Sequence, residues 1–157
     1  MQKWILSTAL AAALLTGTVF AQAAKPAAPA QKSLYERLGG QPAVTAVVDG
    51  LVDRILKDTR VNKWFAHASS SPENTKAYKA TLTSFICSAV GGPCQYKGLD
   101  MTTAHKGRAV TEDAFKAVAE DLSATLDSLK VPAKEKGEVM TLVGGLQGMI
   151  VQAPAAK

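Results

Sequence analysis

Apolar residues recur at helical spacing along most of this chain, and no stretch alternates as a strand would. Val44, Val47, Val48, Leu51, Val52 and Ile55 fall three or four residues apart, with Asp49, Asp53 and Lys57 opposite. Such a broad stripe buries one face of a helix. Tyr78, Leu82, Phe85, Ile86 and Ala89 form a second stripe behind Ser70-Ser71-Pro72-Glu73, the cap-then-acid pattern of a helix start, and Gly91-Gly92-Pro93 ends that helix. Thr111 begins a third, with Phe115, Val118, Leu122, Leu126 and Leu129 as its stripe. Pro132 opens a single last helix carrying Val139, Leu142, Val143, Leu146 and Ile150. Shorter helical turns are expected over residues 33–38, stopped by Gly39-Gly40, over 61–65, and over 101–108 behind a cap at Asp100. Pro42 suits the first turn of the helix that follows Gly40, where no amide hydrogen is needed. The expectation is one all-α domain over residues 33–153.

The N-terminus reads differently. Lys3 precedes an uncharged stretch over residues 4–20, and Ala21-Gln22-Ala23 supplies a small-x-small cleavage pattern. Residues 1–23 are therefore expected to be an export signal, and residues 24–32, rich in Ala, Pro and Lys, a flexible linker. Cleaved, the signal delivers the protein out of the cytoplasm, to the periplasm; uncleaved, it would be an anchor, the only route to a membrane. A chain of 157 residues has room for one core. Its net charge of +5 drops to +4 once Lys3 is lost, and the charges interleave, as in Asp53, Arg54, Lys57 and Asp58. No basic face results, so no nucleic-acid partner is expected. Hydrolase machinery is also disfavoured, because 2 His are the whole stock of groups that titrate near neutrality. Cys87 and Cys94 flank Gly91-Gly92-Pro93, which can reverse the chain. They read either as a disulfide suited to an oxidising compartment or as two separate reduced thiols.

His105 stands in Asp100-Met101-Thr102-Thr103-Ala104-His105-Lys106-Gly107-Arg108. On a helix, Met101, Ala104, His105 and Arg108 share a face, an imidazole among small apolar neighbours with a cation one turn on. That suits a buried ligand beside an anionic group; an ordinary surface or core histidine has the same signature. His67, after Phe65, carries the same two readings. Neither has the second and third ligands of a zinc site. One histidine does suffice for the iron of a haem, because the porphyrin supplies the other four ligands. No Cys-x-x-Cys-His occurs, so covalent c-type attachment is not indicated.

Four segments then carry a resemblance: Leu34-Tyr35-Glu36-Arg37-Leu38-Gly39-Gly40, Val61-Asn62-Lys63-Trp64-Phe65, Gly91-Gly92-Pro93-Cys94-Gln95-Tyr96-Lys97-Gly98 and Met101-Thr102-Thr103-Ala104-His105-Lys106-Gly107. In order and spacing the chain resembles the group I truncated haemoglobins over nearly the whole mature domain. The resemblance implies a two-on-two helical sandwich around a non-covalent haem b. It implies His105 as the proximal iron ligand and Phe65 as the ring stacked on the porphyrin. Tyr96, Met101, Phe115 and Val118 would line the haem, and Arg108 and Lys79 would partner its propionates. The double glycines would be the chain reversals of the shortened fold.

The distal side departs from the family pattern. Val52 stands where the family commonly has a tyrosine, Leu51 where a phenylalanine is common, and Leu82 where a glutamine often assists; Ile86 completes that wall. Tyr78, one turn before Leu82, is either the remaining hydrogen-bond donor or an aromatic shield at the haem rim. His67 is a further candidate for a sixth ligand, and the stretch between Phe65 and Tyr78 is longer than the family norm. The function implied is reversible binding of dioxygen, or of NO or CO. The competing readings are a nitric oxide dioxygenase served by an electron-donating reductase, a peroxidase-like enzyme, and a helical interaction module without haem.

Overall fold

The computed structural model describes residues 31–152, so the expected signal over 1–23 and most of the linker lie outside the described residues. Among the described residues seven helices follow in order: α1 Leu34–Leu38, α2 Gly40–Ile55, α3 Pro72–Ala89, α4 Met101–His105, α5 Glu112–Ser128, α6 Ala133–Gly144 and α7 Gln147–Ile150, with a 3-10 turn at Asn62–Phe65. No strand occurs among the described residues.

Local chemistry sets the boundaries. Ser33 and Glu36 form a reciprocal capping box on α1, which ends at Gly39 with φ 107°, a left-handed conformation that glycine adopts without penalty. Ser71 caps α3 by accepting from the Asn74 amide, with Pro72 in the first turn. Asp100 caps α4 and Thr111 caps α5 in the same way.

The stripe of α2 is buried as expected, with Val48 and Val52 fully enclosed. α2 packs against both α3 and α5, and α5 packs on α6, which gives two helix pairs joined through the α2–α5 contact. α1 closes one end: the Arg37 guanidinium pairs with Glu135 at 3.2 Å and with Glu138, both on α6.

Three expectations need correction. The last helix is broken: α6 stops at Gly144 and α7 restarts at Gln147, so the run from Pro132 to Ile150 is not one helix. Two adjacent glycines lower helix propensity enough for tertiary packing to split the run there. Leu129 and Leu142, assigned to buried stripes, are 42% and 43% exposed. The helix expected over 101–108 ends at His105, where Lys106 turns extended and Gly107 takes a positive φ.

Candidate functional site

α3 carries an apolar face that protein only partly covers. Tyr78, Leu82, Phe85 and Ile86 are each half-buried, whereas Cys87, turned toward the core, is fully buried. The Phe65 ring, at the end of the 3-10 turn, lies 5.8 Å from the Tyr78 ring, and the Phe85 ring lies 5.2 Å edge-on from Tyr96. Tyr96 is held from the other side too, because its hydroxyl donates to the Leu99 carbonyl at 2.8 Å. A Cβ on Gly98 would come within 2.3 Å of that hydroxyl, so only glycine lets the phenol fold back over the chain.

His105 ends α4, half-buried, with Nδ1 2.8 Å from the Met101 carbonyl oxygen. A carbonyl only accepts, so the shared proton sits on Nδ1 and the Nε2 lone pair is left free. Met101 is half-buried one turn back. Phe115 is buried at the start of α5, and Val118 is half-buried one turn on. Beyond α4 the Arg108 Nε donates to the Ala104 carbonyl at 2.8 Å, and the Trp64 indole donates to the Arg108 carbonyl at 3.0 Å. Trp64 thereby ties the 3-10 turn to the end of the His105 segment. Nothing in the spacing announces this role; an indole N–H needing one partner is the available signal.

Leu51 and Val52 are buried on α2. Burial pushes the Tyr78 phenol up to about 12, while the Arg108 charge pulls the other way. The phenol stays protonated at neutral pH and is a donor. His67 is exposed past the 3-10 turn.

The Lys79 ammonium bridges Asp49 at 3.1 Å and Asp53 at 3.0 Å on α2, an ion pair across the α2–α3 contact. Cys87 and Cys94 stand with their sulfurs at bonding distance and their Cα atoms 5.7 Å apart. A cavity of 270 Å³ lies between α2, α3, α5 and α6, walled by Val47, Phe85, Ile86, Leu122, Leu126 and Val139 among others. Only side-chain packing creates it, and no sequence pattern announces it. No group of three His, Cys, Asp or Glu residues close enough to hold a metal occurs among the described residues.

The family model described as bacterial-like globin matches residues 33–152. The group 1 truncated haemoglobin of Synechocystis is 36% identical over 116 residues, covering 71% of this chain and 90% of that one. Among solved structures, the Fe(III) form of the truncated haemoglobin of Tetrahymena pyriformis superposes with a TM-score of 0.70 at 31% identity, covering 76% of this chain and 98% of that one. The 2/2 haemoglobin of Synechococcus, solved in the cyanomet state with covalently attached haem, gives 0.66 at 34% identity, covering 74% and 94%. The chain therefore belongs to the group 1 truncated haemoglobins.

Proposed function

We propose that this chain holds a b-type haem non-covalently through His105 Nε2 and binds a diatomic gas, dioxygen first, with NO and CO as related ligands. The observation that carries the reading is the 2.8 Å contact between His105 Nδ1 and the Met101 carbonyl. A histidine that holds a metal commonly gives its other ring nitrogen to such a carbonyl, which fixes tautomer and ring orientation. The donor set fits: a lone neutral imidazole makes a poor metal site by itself, and a good one for iron already held by a macrocycle. The surroundings fit as well, since Phe65, Tyr78, Leu82 and Phe85 offer half-buried apolar surface to a flat, largely apolar group.

Bound, the haem would supply the iron to which a small gas attaches reversibly. Phe65, Tyr96, Met101, Phe115 and Val118 would shield it from water. The Arg108 guanidinium, exposed at the rim, is the cation for a propionate. Among Tyr78, Leu82, Phe85 and Ile86 on the apolar face of α3, Tyr78 alone carries a proton that could be shared with a bound gas. Val52, Leu51, Leu82 and Ile86 offer hydrocarbon only, which favours a gas binder over a dioxygenase or peroxidase that needs polar distal groups.

Cys87 and Cys94 form a disulfide in this reading, and the signal-like residues 1–23 support export to the periplasm, where such a bond persists. The test is the absorption spectrum of the purified protein. A Soret band that His105→Ala abolishes and added imidazole restores supports the assignment. A wild-type protein that takes up no haem overturns it.

A further inference from the structure

The span between α3 and α4 connects the helix facing the gas to the helix carrying His105. Among the described residues, no backbone–backbone hydrogen bond involves residues 93–99. Three attachments hold the span to α3: the Cys87–Cys94 link, the Ser84 hydroxyl donating to the Gln95 carbonyl at 3.3 Å, and Phe85 against Tyr96. The first is the only covalent one. Cys87 is fully buried, whereas Cys94 is half-buried and lies on the wall of an open groove between α2 and α3. The two sulfurs therefore differ in access, and an external thiol reaches Cys94 first.

We infer that the Cys87–Cys94 bridge is a dithiol-reducible clamp on this span, and that opening it loosens Tyr96 and α4 and hastens haem loss. The inference rests on the haem reading above only for its last step. The thiolate of an external dithiol attacks Cys94 Sγ and forms a mixed disulfide. Cys87 Sγ leaves with the electron pair and takes up a proton. The donor's second thiol then attacks the donor sulfur of the mixed bond, releases Cys94 as a thiol and leaves the donor as a disulfide. Two electrons and two protons pass to the protein. The freed span keeps the Ser84 hydrogen bond, the Phe85–Tyr96 contact and, once Cys94 is a thiol, a weak sulfur contact to the Gln41 side-chain oxygen at 3.4 Å, too little to hold it closed all the time.

Two measurements decide the matter. In the first, haem transfer to excess apomyoglobin is followed for the oxidised protein, for the protein reduced with dithiothreitol, and for Cys94→Ser. Reduction should speed transfer about tenfold, within what a short closed loop contributes. Cys94→Ser should be fast from the start and unmoved by dithiothreitol. Equal rates in oxidised and reduced wild type overturn the clamp, and so does a Cys94→Ser protein as slow as the oxidised wild type. In the second, amide hydrogen exchange is measured on the haem-free protein. Faster exchange over residues 95–105 on reduction, with α2 and α5 unchanged, supports the clamp; an unchanged span overturns it. A protein that binds no haem in either state refutes the function proposed above, and the exchange measurement then judges the clamp alone.

Discussion

Gly50 of α2 lies directly beneath Thr125 of α5, where an added Cβ would come within 2.8 Å of the Thr125 Cγ2 methyl. Thr125 is fully buried and its hydroxyl donates to the Asp121 carbonyl at 2.8 Å, so its rotamer is fixed and the methyl has nowhere to go. This contact sets how closely the two helices cross. Gly50→Ala gains about 1 kcal/mol of helix propensity but overpacks the crossing, which costs about 1–3 kcal/mol. The expected outcome in urea denaturation is net destabilisation. Thr125→Ser removes the offending methyl and keeps the hydroxyl, so the double variant Gly50→Ala, Thr125→Ser should recover the loss. A simple sum of the two single effects would show that the methyl is not the obstacle.

The alkaline stability of the haem-free protein should report on Tyr78. Its phenol titrates near 10 when unfolded and is pushed up to about 12 in the fold by burial. Below pH 10 both states hold the proton and the full stability is present. As pH rises toward 12 the unfolded state releases its proton first, so stability falls across that window. A gap of about two pH units corresponds to about 2–3 kcal/mol. Tyr78→Phe should therefore lose less stability than wild type between pH 10 and 12, measured by denaturation at each pH.

α5 ends in a full Schellman turn: the Val131 amide bonds to the Leu126 carbonyl and the Lys130 amide to the Asp127 carbonyl. The residue at its left-handed position is Lys130, with φ 55°. A side chain there costs energy that glycine avoids, so Lys130→Gly should raise stability by about 0.5–1 kcal/mol, offset in part by the greater freedom of the unfolded chain. A lowered midpoint in thermal or urea unfolding would contradict this.

The sequence made α2, α3 and α5 legible because each buries a face at the 3.6-residue period, and burial is what periodicity encodes. The helix starts at Ser71, Asp100 and Thr111 were equally plain, being local chemistry. The break at Gly144-Gly145 was not, since the apolar spacing runs through it and only contacts with α4 and α5 decide it. Leu142 keeps its place in the pattern yet stays exposed, because a stripe names a face without naming what covers it. Among site residues, His105 and Phe65 stood out through motif spacing. The pairing of Lys79 with Asp49 and Asp53 was not legible, since sequence gives no direction for a long flexible cation. The cavity behind Ile86 depends on which side chains meet, a property of packing alone.

The gas-release rate should depend on Tyr78 more than on any other distal residue. Bound dioxygen draws electron density and accepts a hydrogen bond, whereas carbon monoxide does so weakly. With Val52, Leu51, Leu82 and Ile86 offering no donor, loss of the Tyr78 hydroxyl removes about 1–2 kcal/mol of stabilisation for dioxygen, or about a five- to thirtyfold faster release. The carbon monoxide rate should change far less. Stopped-flow dissociation of both gases from wild type and Tyr78→Phe separates the two readings of this residue. Selective acceleration for dioxygen marks the phenol as the donor. Acceleration of both gases alike marks a ring that shields the haem edge, because a gate slows every escaping ligand whatever its polarity.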